Sequence, residues 1–193
     1  MGINSSNRNF STSLSQVPHM KLILATFFTS LALLAATPAV GEKAPGFTLK
    51  NLDGKTVHLS DKTANGPVVL IVLRGFPGYQ CPLCNRQVKE FVSRAKDFEG
   101  KNVLLVYPGP ADNLNAKASE FVMDKSLPAN FEMVLDPDYT FTKQYGLRWD
   151  APQETAYPST FLIDSKGVIF FSKISKSHGG RTTATEVLEE LKK

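Results

Sequence analysis

Cys81-Pro82-Leu83-Cys84 sets two thiols three positions apart, and the 193-residue chain has no other cysteine. The setting gives that spacing a chemistry. An unbroken apolar run, Val68–Leu73, ends in the turn-rich Arg74-Gly75-Phe76-Pro77-Gly78-Tyr79-Gln80, so Cys81 stands where an amphipathic helix begins. A helix start presents unpaired backbone N–H groups and about half a positive charge, which draws a cysteine pKa well below its usual ~8.5. Two thiols on one first turn also come within disulfide distance. A mixed disulfide or a sulfenic acid formed on one is then discharged by the other.

Other uses of the pair are weaker. As a structural bridge it closes a loop of four residues, worth about 2 kcal/mol on a loop-entropy scale that gives ~3 for fifteen. A metal site needs two further ligands, and after residue 40 the available histidines are His58, in a strand pattern, and His178, after the last strand. Two inert core cysteines fit poorly beside a loop rich in Pro and Gly. No paired carboxylates, Ser-His-Asp set or phosphate-cradling glycine loop stands in a setting that would carry those chemistries.

The elements that must hold the pair are readable around it. Val68–Leu73 has no polar alternation, as expected of a central strand covered on both faces. Val88, Phe91, Val92, Ala95 and Phe98 form a helical stripe ahead of Gly100, and Val103–Tyr107 is a second buried strand, so the order predicts a parallel β-α-β unit. Phe47, Leu49, Leu52, Val57 and Leu59 alternate around Asp53-Gly54 as an N-terminal β-hairpin. Ala111–Lys125 has helical character, Phe131–Leu135 is a short strand, and a helix follows Asp136-Pro137-Asp138 up to Gly146. Thr160–Ile163 and Val168–Ser172 flank Asp164-Ser165-Lys166-Gly167 as a second hairpin, and Thr183 with Glu186 forms a capping box for a last helix.

Composition bounds the rest. The chain is 42% hydrophobic and 21% charged, the balance of a globular protein, and one domain is expected over residues 41–193. Of the net charge of +4, Arg8 and Lys21 supply half from an acid-free segment of residues 1–40. The small remainder, without a basic stripe, excludes nucleic acid as an expected partner. Leu22–Ala36 is uncharged and follows Lys21, with Thr37-Pro38-Ala39 after it, so residues 1–40 read as a leader carrying a secretory signal cut after Ala39 or Gly41. That stretch falls short of the ~20 apolar residues of a membrane span. A membrane partner is expected only if the leader stays uncleaved. Met20 is an alternative start. Export to the periplasm or another extracytoplasmic space is expected to bring the pair into a compartment where disulfides persist.

These residues resemble the thioredoxin-fold redoxins, in the peroxiredoxin-like branch of alkyl hydroperoxide reductase and thiol-specific antioxidant proteins. The resemblance covers roughly residues 41–193. It starts at Gly41-Glu42-Lys43-Ala44-Pro45-Gly46-Phe47-Thr48-Leu49 and includes Tyr157-Pro158-Ser159-Thr160-Phe161-Leu162-Ile163-Asp164 with Lys166-Gly167. It implies an α/β, thioredoxin-like fold with a central mixed sheet flanked by helices. It implies an antioxidant or thiol–disulfide oxidoreductase working through Cys81 and Cys84, with no cofactor and no metal. The expected partners are protein or small-molecule disulfides, hydroperoxides and a thiol electron donor. The resemblance further implies a cis peptide at Pro158, packed against the cysteines and shaping the substrate groove; Pro77 and Tyr79, in the loop beside the pair, are read as supporting that groove.

Two departures bear on the reaction. Peroxidases of the family carry Pro-x-x-x-Thr-x-x-Cys, which in Pro77-Gly78-Tyr79-Gln80-Cys81-Pro82-Leu83-Cys84 puts Cys84 in the peroxidatic place and Cys81 at the threonine. In the thioredoxin reading Cys81 is the exposed attacker and Cys84 resolves. The peroxidases also carry an arginine near the place of Pro158, which here Arg74, Arg86 or Arg148 must replace. These departures favour disulfide exchange over peroxide reduction. A copper-binding thioredoxin-fold chaperone is the alternative from another class. Its cysteines are spaced four apart and its histidine precedes the late strand, where this chain has Ala156 and Tyr157.

Overall fold

The computed structural model describes residues 1–2 and 36–193. Met20, Lys21 and nearly all of the apolar leader stretch lie outside the described residues. The fold belongs to the compact unit Leu34–Lys193.

Val68–Val72 (β3) sits in the interior of a single mixed sheet. Parallel to it runs Asn102–Gly109 (β4), and parallel to β4 runs Phe131–Pro137 (β5). Thr48–Asn51 (β1) and Thr56–His58 (β2) form the N-terminal hairpin, antiparallel on the outside of β5. Ser159–Ile163 (β6) pairs antiparallel with β3, and Ile169–Ile174 (β7) closes the other edge. The order among the described residues is β2-β1-β5-β4-β3-β6-β7.

Alternation along β3 explains why its sequence is apolar throughout. Val69, Ile71 and Leu73 point to a core shared with Cys84, Val88 and Phe91, whereas Val68, Leu70 and Val72 point to the opposite core with Phe47, Phe141, Tyr145 and Phe161. Helix α2, Pro82–Ser93, buries Cys84, Gln87, Val88 and Phe91, one face at helical spacing. Leu114–Val122 (α3) and Ala184–Glu190 (α5) contribute apolar residues to that same core.

Several boundaries differ from the sequence reading. Leu59 does not extend β2; it opens a short helix, Leu59–Ala64 (α1), and is buried there. The stripe from Val88 to Phe98 is not one helix, because α2 stops at Ser93 and Ala95–Phe98 forms a separate 3₁₀ turn that still buries Phe98. The helix after Asp136 is Thr140–Gln144 (α4), whose first N–H groups at Phe141 and Thr142 bond the buried Asp136 carboxylate at 2.7 and 3.0 Å. At α5 the Thr183 hydroxyl accepts from the Glu186 N–H at 3.1 Å, but the Glu186 carboxylate turns to Lys173 instead of completing the box. Among the described residues no helix is long and apolar enough to cross a membrane.

β4 continues through Pro108 and Gly109, paired with Asp136 and Pro137, and this extension supports the loop after β3. Phe76 N–H donates to Pro108 O at 3.0 Å. Gly75, at φ +70, passes so close that an added Cβ would lie 1.8 Å from Pro108 O. Gly75→Ala is therefore expected to cost about 3 kcal/mol or more in urea unfolding of the reduced protein, and a loss below 1 kcal/mol would show that this approach is not a constraint.

Candidate active site

Cys81 is the N-cap of α2. Its backbone is extended (φ −72, ψ 113), Pro82 follows at the first helical position, and its sulfur accepts the Cys84 N–H at 3.3 Å. A serine or threonine oxygen does the same at other helices. Cys84, one turn later, lies on the buried face, and its sulfur accepts the Arg74 N–H at 3.3 Å. The end of β3 and the start of α2 are thus joined through sulfur.

The two thiols are not equivalent. The Cys84 side-chain hydrogen bond is the largest influence on Cys81; with the Cys84 N–H, Arg181 and Arg74 it outweighs burial and holds the Cys81 thiol down at about 5. Burial, then the bond to Cys81, pushes the Cys84 thiol well above the ordinary range. One sulfur is held as the anion and the other as the acid. Cys81 is only 3% exposed. The expectation of an exposed attacker is corrected to one nearly covered, because capping the helix draws its sulfur inward.

Arg181, which the sequence reading missed, is the cation nearest the pair: its terminal nitrogen stands 3.7 Å from Cys81 Sγ. Its loop is tied down on both sides. Toward α2, Gln87 donates to Thr182 O at 3.1 Å, and the Thr182 hydroxyl meets that of Thr160 on β6 at 2.7 Å. Toward β3, His178 Nε2 lies 2.7 Å from Glu154 Oε1, and the other Glu154 oxygen accepts from Arg74 Nε at 2.6 Å. Arg181 Nε in turn donates to His178 O at 3.0 Å. Burial would raise the Glu154 carboxyl, but Arg74 and His178 hold it below its ordinary value. Burial likewise works to lower Arg74, and its bonds to Glu154 and Tyr79 override that and raise it. The nearly buried guanidinium is thus bonded through each of its three nitrogens and permanently charged.

The other expected residues fall as follows. Tyr79 is at the site, 45% exposed, with its hydroxyl accepting from Arg74 at 2.6 Å. Pro77 is half-buried in the same loop. Pro158 is buried and level with the end of β3, since Val72 pairs with Ser159, but its peptide is trans, which corrects the expected cis bond. Trans is the ordinary X–Pro preference by about 0.5–1 kcal/mol, and it fits the bonds on either side, Tyr157 N–H to Leu147 O and Ser175 N–H to Pro158 O. Of the three arginines proposed as the cation, Arg74 acts on Cys81 from a distance and Arg86 lines a neighbouring cavity. Arg148 is spent on the Thr155 and Glu154 carbonyls and on the Tyr139 ring. His58 bonds the Thr48 hydroxyl in the first hairpin. Among the described residues no three His, Cys, Asp or Glu side chains converge as a metal site.

Alkylation of the reduced protein is expected to label Cys81 with a midpoint near pH 5 and to spare Cys84 while the fold holds. Arg181→Gln is expected to move that midpoint up by roughly one pH unit; an unmoved midpoint would mean that the guanidinium does not act on the sulfur. Since the folded value lies below the unfolded one, the thiolate's contribution to stability is complete above about pH 9 and lost as pH falls through about 5. The reduced protein should therefore gain stability on the disulfide form across that interval.

The AhpC/TSA family model matches residues 40–172. A Helicobacter pylori (strain ATCC 700392 / 26695) protein provisionally named peroxiredoxin bcp is 32% identical over 160 residues, covering 79% of this chain and 97% of that one. The thiol-disulfide oxidoreductase ResA of Bacillus subtilis (strain 168) is 28% identical over 129 residues, 67% of this chain and 64% of that protein. In the crystal structure of a peroxiredoxin-like protein from Aquifex aeolicus the same fold recurs at a TM-score of 0.68 and 19% identity, over 82% of this chain and 89% of that one. The family match spans both cysteines, the loop that precedes them and the strand beside them, and on that ground the chain belongs to the AhpC/TSA family.

Proposed function

We propose that this chain is a thiol–disulfide oxidoreductase in which Cys81 attacks and Cys84 resolves. The observation that carries this reading is the inequality of the two sulfurs, one an anion beside Arg181 and the other an enclosed thiol. The Cys81 thiolate attacks one sulfur of a substrate disulfide, and the other sulfur leaves as a thiolate. Converting Cys81 to a neutral mixed disulfide removes the charge that helps keep Cys84 protonated. The Cys84 proton then passes to that first thiolate, and the Cys84 sulfur attacks Cys81 Sγ, breaking the mixed disulfide and releasing the second substrate sulfur as a thiolate that takes up a proton from water. Two electrons have moved from the cysteine pair to the substrate, and a thiol donor returns them.

A stabilised thiolate also favours the dithiol form of the couple, which raises its potential. The same step in reverse, oxidation of a substrate dithiol, is then the easier direction. Arg181→Gln should lower the potential by about 30 mV for each tenfold of thiolate stabilisation lost.

A second reading is peroxide reduction, favoured by the guanidinium beside Cys81 and by the peroxiredoxin names among the relatives. The attacking sulfur would be Cys81, since Cys84 is fully enclosed. Peroxide would convert the thiolate to sulfenic acid with release of the alcohol or water, and the Cys84 thiol would close the disulfide with loss of water. We further propose that the reaction takes place outside the cytoplasm, supported by the leader pattern of residues 1–40.

Wild-type protein is expected to accelerate insulin reduction by dithiothreitol, Cys81→Ser to abolish this, and Cys84→Ser to accumulate a mixed disulfide on Cys81. Full activity in Cys81→Ser overturns the assignment. Stopped-flow oxidation by hydrogen peroxide no faster than that of free cysteine removes the second reading.

A further inference from the structure

Beside the start of α2 lies a cavity of about 150 Å³, walled by Arg86 and Gln87 on one side and by the loop from His178 to Thr182 on the other. Arg181 belongs to both the cavity and the sulfur site: it lines the first and stands 3.7 Å from Cys81 Sγ in the second. Its remaining bonds go to neutral acceptors, His178 O at 3.0 Å and Gln87 Oε1 at 3.4 Å. Arg86 is exposed and forms no ion pair among the described residues. Glu90 is the cavity's carboxylate, and its Oε1 is occupied by the Ala184 N–H at 2.8 Å. His178 turns its Nε2 away to Glu154. Two guanidinium groups therefore line a space that holds a single carboxylate, Glu90, one of whose oxygens is taken by a backbone N–H, and the surplus of positive charge suits the paired oxygens of a further carboxylate.

We infer that this cavity docks the carboxylate of a small acidic thiol, which exchanges with the Cys81–Cys84 disulfide; the inference rests on the exchange reading given above. The volume admits an acid group on a short stem, and Arg181 spans the way from that group to the reacting sulfur. The thiolate of the docked molecule attacks Cys81 Sγ, the Cys81–Cys84 bond breaks, and Cys84 leaves as a thiolate and takes up a proton. A second thiolate attacks the mixed disulfide, releasing the small disulfide and the Cys81 thiolate. Two thiols are oxidised and one protein disulfide is reduced.

The test compares reduction of the oxidised protein by 3-mercaptopropionate and by its uncharged methyl ester, each rate expressed per thiolate and followed by quenching, alkylation and mass measurement. The acid is expected to react about tenfold faster or more, the worth of one charge-assisted hydrogen bond. The non-exchanging analogue 3-(methylthio)propionate is expected to compete with it. Arg86→Gln should pull the acid-to-ester ratio several-fold toward one, whereas Lys89→Gln, which removes the same charge from α2 outside the cavity, should leave the ratio in place. A ratio near one, or one that Arg86→Gln does not change, overturns the docking site while exchange stands. Failure of both thiols to reduce the pair overturns exchange itself, and the docking site with it.

Discussion

The bond from the Cys84 N–H to the Cys81 sulfur organises this molecule's chemistry. It does two things at once. As a helix cap it satisfies one of the donors left open at the start of α2, and as a hydrogen bond to sulfur it favours the charged form of the acceptor. The cap residue is also the cysteine of lower pKa, so the contact that stabilises the helix also works, with the Cys84 side chain, Arg181 and Arg74, to hold the Cys81 thiol down. The asymmetry follows from helix geometry. Three residues on, Cys84 falls on the face that packs under β3, where burial makes ionisation costly.

The polar groups around this contact would be expensive if left unpaired, and they are paired in a chain. Arg74 is nearly buried at the end of β3, with donors on Glu154, Tyr79 and the Gln153 carbonyl. Glu154 passes the connection to His178, and the His178 carbonyl holds Arg181. On the far side Gln87 and Thr160 grip Thr182. A loop containing Gly179-Gly180 would otherwise wander, yet it presents a guanidinium to one sulfur because both of its ends are fixed to rigid elements.

Much of this was legible in the residues, and the limits have physical causes. The six apolar residues of Val68–Leu73 state that both faces are covered, and the stripe on α2 and the two Asp-to-Gly turns state their elements directly. The place of Cys81 at the helix start follows from Pro82 and the apolar period after it. What local pattern could not show is contact across the sheet. Arg181 lies a hundred residues from Cys81, and Glu154 eighty from Arg74. A signal did exist: β6 and β7 form a hairpin beside β3, so the chain leaving β7 for the capped helix at Thr183 must return past the start of α2. Leu59 and Phe98 were misplaced because an apolar residue at an element's edge keeps its burial whichever structure carries it.

The placement of the cation also bears on which reagent the site meets. In the peroxidatic pattern the final cysteine, here Cys84, would need both a cation and access, and it has neither an open path nor a low pKa. Where that pattern has a threonine this chain has Cys81, one helical turn earlier at the cap, and Arg181 stands beside its sulfur. The helix start acts over its first turn only, so a sulfur at the cap and a sulfur three residues inside it experience opposite balances of charge and burial. The residue that stands at the place of the pattern's hydroxyl is thus also the one whose thiol is held down.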